Sequence, residues 1–190
     1  ICTSAKGRQQ RHLRQSRTVA LQFDYGYLSI EGSTEKLTIL TMLDVTTSLS
    51  HATVVTSKGD NLHARLEVKH FLREIGRTGC VLQSDNEPSI KSLLTSVARD
   101  LPNTTVRFSP NYSPQSLGNL ERFHQTLYGQ LRTLILQMEQ HYKLKLTIQH
   151  PLLPWAVRHA SWLLSRYLVH SDGLTSFQRR WGRTYNAPLC

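Results

Sequence analysis

Apolar and polar residues alternate through residues 19–30 (VALQFDYGYLSI), which are rich in β-formers and predict a strand ending near an irregularity at Gly26. Residues 37–45 (LTILTMLDV) and 51–56 (HATVVT) predict two further strands around a polar turn, so the chain opens as an antiparallel sheet. The period then changes. Leu62, Leu66, Phe71, Leu72 and Ile75 recur at helical spacing over 60–75, with Asp60 as a candidate cap and Gly76 and Gly79 as stops. Residues 80–84 (CVLQS) predict a short buried strand ending at Asp85. Pro88 suits the first turn of a helix running to about Asp100, and TVRF (105–108) predicts a fifth strand. A loop rich in Pro, Ser, Asn and Gly (SPNYSPQSLGN) precedes a long helix from about Leu117 to Gln140. A last helix is expected over 154–169. Hairpin strands followed by strands alternating with helices predict a mixed α/β fold, a five-stranded sheet flanked by helices.

The 190 residues suit one domain of ordinary apolar content with short appendages. No apolar run approaches the roughly 18 residues that cross a membrane, and no signal peptide opens the chain. The first residue is Ile1 and the first methionine Met42, which reads as a piece of a longer polypeptide. The net charge of +10 is concentrated at the ends. Residues 1–17 carry Lys6, Arg8, Arg11, Arg14 and Arg17 and no acid, and residues 171–190 carry Arg179, Arg180 and Arg183 against Asp172. Basic ends suit a polyanion, because neutralised phosphates release counterions, and equally suit a solvated tail. The expected division is therefore a basic linker over 1–18, a core over 19–170 and a basic extension over 171–190. Cys2, Cys80 and Cys190 are too few and too scattered for a disulfide framework, and fit a reducing, intracellular setting. The nine histidines form no complete zinc motif.

The acids carry the chemistry. Asp24 stands mid-strand among apolar and aromatic residues, where a carboxylate is costly without a partner or a metal. Asp85 follows the apolar strand, at the kind of strand end where sites are built. Glu121 falls in the first turns of the long helix. At about 100° per residue, Leu120, Phe123, His124, Leu127, Leu131, Leu134, Ile135 and Met138 gather into one stripe. Glu121 lies at its edge, on the flank of Gln125, Tyr128 and Arg132. Such a carboxylate can join two others on strands as hard oxygen ligands for Mg²⁺ or Mn²⁺, and two ions about 3.5–4 Å apart can activate an attacking oxygen and stabilise a leaving one. Asp44 is a rival for Asp24, since it also ends a strand, but its better reading is a polar residue opening a turn.

The neighbourhoods of these acids have a family likeness. QSDNEPSI around Asp85 and SPNYSPQSLGNLERFHQTL around Glu121 resemble two blocks of retroviral and LTR-retrotransposon integrases. The 35 residues between Asp85 and Glu121 match that family's D, D, E signature, and LQFDYG and LTILTMLDVTTSLSHATVV resemble the first block and its following strands. The likeness covers roughly residues 19–170. It implies a ribonuclease-H-like fold and an integrase core: a polynucleotidyl transferase that processes DNA 3′ ends and transfers them into target DNA, with Asp24, Asp85 and Glu121 as metal ligands. It implies a retroelement polyprotein product acting in a host nucleus as a homo-oligomer, with DNA as partner and no membrane. Two positions depart from the pattern: Glu87 stands where Gly is frequent, and Leu117 where many members have Asn.

CTSAKG resembles the end of the family's N-terminal zinc module, making Cys2 a candidate last ligand. SFQRRWGRTY resembles the stretch after the core. Gln125, Tyr128, Arg132, Arg179, Arg180 and Arg183 are the candidate DNA contacts, set against a solvated flank and a packed Trp181. Arg122 points away from that flank and is expected to serve structure or target binding, and Cys80 is expected to be buried. The alternatives are another ribonuclease-H-like nuclease or transposase, and a non-catalytic nucleic-acid-binding relic. A ribonuclease H would want a further carboxylate on the first helix, where Glu67 and Glu74 are available.

Overall fold

The computed structural model describes residues 20–30, 33–77, 79–109 and 117–187. The basic linker, Cys2, Cys190 and most of the loop before the long helix lie outside the described residues. The elements are β1 (Ala20–Leu28), β2 (Leu37–Asp44), β3 (Ser50–Val55), α1 (Leu62–Glu74), β4 (Val81–Ser84), α2 (Pro88–Arg99), β5 (Thr105–Phe108), α3 (Gly118–Tyr142), α4 (Leu152–Tyr167) and α5 (Ser176–Trp181). The strands form one mixed sheet in the order β3-β2-β1-β4-β5. β1, β2 and β3 pair antiparallel, and β4 and β5 extend the sheet in parallel from β1.

Alternation in the strands splits the apolar residues between two cores. Leu21, Phe23 and Tyr25 of β1 pack with α1 and α2 through Val68, Phe71, Ile90 and Leu94. Leu28, Ile39 and Ala52 pack on the other side with Leu127 and Leu131 of α3 and Ala156, Val157 and Ala160 of α4. Asp24 is in phase with Leu28, so it lies on the face that α3 covers. No helix among the described residues is long and apolar enough to cross a membrane.

Several local expectations shift. Asp60 does not cap α1. Asn61 does, its side chain accepting from the Ala64 N–H at 2.9 Å, while Asp60 pairs with Arg65 at 3.1 Å. β1 does not break at Gly26 but pairs with β2 through Leu28. Gly26 serves close approach instead, because a Cβ there would stand 2.1 Å from the Tyr128 hydroxyl. Cys80 is buried one residue ahead of β4. α4 starts earlier than expected, at Leu152, with Pro154 inside its first turn, where a missing N–H costs little.

The basic extension holds a further helix. Thr175 and Gln178 form a reciprocal capping box at the start of α5, and Gly182 ends it with φ 68°. Phe177 is buried, and Trp181 packs against the α1–α2 core.

Candidate active site

The parallel register of β1 and β4 pairs Ala20 with Val81, Leu21 with Leu82 and Gln22 with Gln83. β4 ends at Ser84, so Asp85 follows directly on the strand that neighbours β1, and its charge acts on Asp24. Each is held by its own backbone: Asp24 Oδ1 accepts from the Tyr25 N–H at 2.7 Å, and Asp85 Oδ1 from the Glu87 N–H at 3.1 Å.

Burial pushes the Asp24 carboxyl up to about 6, and the charges of Asp85 and Glu87 push the same way, against the Tyr25 hydrogen bond and the Lys58 charge. Two such carboxylates close enough to interact form a hard, anionic oxygen pair, and this donor chemistry fits a divalent cation such as Mg²⁺ or Mn²⁺. Glu121 is exposed in the first turn of α3. Among the described residues, no three His, Cys, Asp or Glu side chains are spaced to hold one ion. The fold therefore places two of the three expected ligands on or just past neighbouring strands, with the third on the adjoining helix.

His124, one turn after Glu121, joins that helix to the site. Its Nε2 lies 2.6 Å from Thr41 Oγ1, and its Nδ1 lies 3.9 Å from Asp24 Oδ2. Thr41 has one hydroxyl proton and donates it to the Asp24 carbonyl at 2.9 Å. It must therefore accept from His124, which assigns the Nε2–H tautomer. Burial holds the His124 imidazole below its usual range. The result is a hydrogen-bonded chain from α3 through β2 to the main chain of Asp24. Residue patterning had put His124 in the apolar stripe; its spacing of three from Glu121 was the available signal.

No protein-family model matches the sequence, and no curated protein matches it. Solved structures do. The HTLV-2 integrase catalytic core domain in complex with magnesium superposes with a TM-score of 0.62 at 16% identity, over 86% of this chain and 96% of that one. The BIV integrase catalytic core domain gives 0.59 at 21% identity, over 87% and 95%. A chain of the simian T-cell lymphotropic virus intasome, in complex with PP2A regulatory subunit B56 gamma, gives 0.69 at 18% identity, over 98% of this chain and 64% of that one. The chain has the fold of a retroviral integrase catalytic core. At these identities the likeness is one of fold, the ribonuclease-H-like arrangement of a mixed five-stranded sheet flanked by helices.

Within this integrase-core fold, the remaining candidates separate. Gln125 and Arg132 are exposed on α3, and Arg183 is exposed beyond α5. Tyr128 is half-buried, with its hydroxyl against Gly26 of β1, and burial raises its pKa. Its ring helps to dock α3 on the sheet. Arg179 and Arg180 are partly buried and engaged within the protein. Arg179 is bidentate to Asp172 at 2.9 and 2.9 Å and donates to Ser48 Oγ at 3.0 Å, while Arg180 donates to the Ile75 carbonyl at 2.7 Å. Both guanidinium groups fasten α5 to the core. Arg122 is exposed and donates to the Gly118 carbonyl and to Asn119 Oδ1 within the first turn of α3.

Asp44 opens the turn after β2. Its Oδ1 accepts from the Thr46 N–H at 2.8 Å, and its Oδ2 pairs with Arg77 at 2.8 Å. Neither acid on α1 is free for a ribonuclease H site. Glu67 bonds His51 and Arg158 at 3.0 and 2.6 Å, which lowers its pKa to about 2, and Glu74 pairs with Arg166 at 3.5 Å. Leu117 precedes α3 with no side-chain cap, as expected where a hydrocarbon replaces an amide.

Proposed function

We propose that this chain is the catalytic core of a retroelement DNA integrase, a metal-dependent polynucleotidyl transferase that processes DNA 3′ ends and joins them to target DNA. One observation carries the reading: Asp24 in the middle of β1 and Asp85 just past the end of the neighbouring parallel β4 lie close enough for their charges to interact, and α3, which bears Glu121 in its first turn, packs beside Asp24 through His124, in an integrase-core fold. Asp24, Asp85 and Glu121 would hold Mg²⁺ or Mn²⁺, two ions in the full arrangement. Bound there, the metal supplies Lewis-acid stabilisation to a reacting phosphodiester.

The protein's own groups do the positioning. The Tyr25 N–H orients the Asp24 carboxylate, and the chain through Thr41 and His124 holds the Asp24 main chain against α3. Gln125, Arg132 and Arg183 are the exposed polar groups that would contact the DNA backbone, fixing its register without reading sequence. The working form is a homo-oligomer on DNA in a host nucleus, released from a retroelement polyprotein.

Disintegration of a branched DNA substrate in Mg²⁺ or Mn²⁺ tests the reading. Activity that requires the metal and falls in Glu121→Gln by more than the roughly 10–100-fold typical of outer-shell changes is the expected result. A well-folded protein that binds DNA but performs no metal-dependent joining, or joins equally well with Glu121→Gln, would support the non-catalytic binding relic instead.

A further inference from the structure

Beside the carboxylate pair stands an ion pair that the reaction does not require. Lys58 lies on the loop between β3 and α1, and Glu87 immediately precedes α2. The Lys58 ammonium bonds both carboxylate oxygens of Glu87, at 2.8 and 3.0 Å. It is aimed rather than loose: it sits over the rings of Tyr25 and Tyr27 at 5.2 and 5.1 Å, and the Gly59 N–H of its loop donates to the Tyr25 hydroxyl at 3.1 Å. Both charges act on Asp24, and the Glu87 N–H is the donor that holds Asp85. The pair therefore lies at the rim of the site. Two anionic oxygens on one ammonium is also the arrangement that a phosphate offers.

We infer that Lys58 is a DNA-phosphate contact at the rim of the carboxylate site, and that Glu87 holds it as an internal stand-in for that phosphate until the duplex arrives. The inference rests on the DNA-joining reading above. The side chains of Lys58 and Glu87 are 28% and 31% exposed, so an incoming phosphate can reach the ammonium from the solvent side. Glu87 released from Lys58 keeps two stabilising neighbours, the Ser89 hydroxyl and the N-terminus of α2. The device weakens DNA binding, because every phosphate that takes Lys58 displaces a carboxylate. It gives a role to the glutamate that stands where the integrase pattern has glycine.

The test is duplex-end binding by the full chain, followed by fluorescence anisotropy without divalent metal, for the natural protein, Glu87→Gln, Lys58→Gln and the double variant. Glu87→Gln keeps the backbone N–H that holds Asp85, and circular dichroism checks each fold. Glu87→Gln is expected to bind more tightly, with a salt slope steeper by about 0.9, so that its advantage shrinks about 3.5-fold between 50 and 200 mM salt. In the Lys58→Gln background the steepening disappears. An unchanged affinity in Glu87→Gln, or the same gain and slope in both backgrounds, would overturn the inference while leaving the DNA-joining reading intact. Absence of salt-dependent binding in all four proteins would overturn both.

Discussion

Asp24 and Asp44 end up in the same sheet, on strands that pair with one another, and meet opposite fates. Asp44 is fully buried at the end of β2, and its charge is answered: Arg77 pairs with one oxygen, and the Thr46 N–H donates to the other. Asp24, in the middle of β1, has one backbone donor and a neutral imidazole 3.9 Å away, and its nearest charges include two other acids. A carboxylate that the fold neutralises is a structural part. One whose ionised form burial disfavours, with two neighbouring acids adding to the effect, calls for something from outside, and functional sites concentrate such groups.

The largest expected effect breaks the satisfied half of this comparison. Arg77→Ala strands the Asp44 carboxylate in the interior and should cost about 3–5 kcal/mol, read as a lower urea midpoint. An unchanged midpoint would mean that the turn hydrogen bond alone carries Asp44.

The unsatisfied half should respond in the opposite direction. Asp24 is harder to ionise in the fold than in the unfolded chain, where its pKa is 3.8. Its ionised form therefore destabilises the metal-free protein. The cost is absent below about pH 4, grows up to about pH 6 and stays constant above that. Asp24→Asn should raise stability by about 1–3 kcal/mol at pH 8, after allowance for solvent screening, and by nothing at pH 4. Mg²⁺ should raise the Tm of the natural protein at pH 8 more than that of the variant. A variant equally less stable at both pH values would remove the contrast between the two aspartates.

An effect of similar size sharpens how α3 is held over Asp24. Gly26→Ala drives a Cβ toward the Tyr128 hydroxyl and should cost about 1–3 kcal/mol, an overpacking penalty. Tyr128→Phe should relieve part of it, since the nearest atom is the hydroxyl oxygen. Additive losses in the double variant would place the strain elsewhere.

Much of this was legible along the chain. The period-2 runs mark β1 to β3, and the apolar stretch VLQS marks β4. Leu120, Leu127 and Leu131 are the buried face of the long helix, as their spacing requires. α5 was obscured by its own charges: RR in a short segment reads as a solvated extension, although the Thr175–Gln178 capping signature was present. Asp60 and Asn61 are both competent caps, and only the direction in which the loop enters α1 chooses between them. Tyr128 reads as a polar flank residue because a sequence does not reveal that the facing strand residue is Gly26, which leaves room for a phenol.

By itself, the sequence determined the order of strands and helices, the spacing of Asp85 and Glu121, and the presence of acids in apolar surroundings, because these follow from local periodicity and from the composition of short windows. Only the tertiary structure decided which acids were neutralised. Asp44 is separated from Arg77 by 33 positions, Lys58 from Glu87 by 29 and Thr41 from His124 by 83. Such partners are chosen by strand register and helix docking, and the energy of a charge depends on what the fold brings within a few ångströms of it.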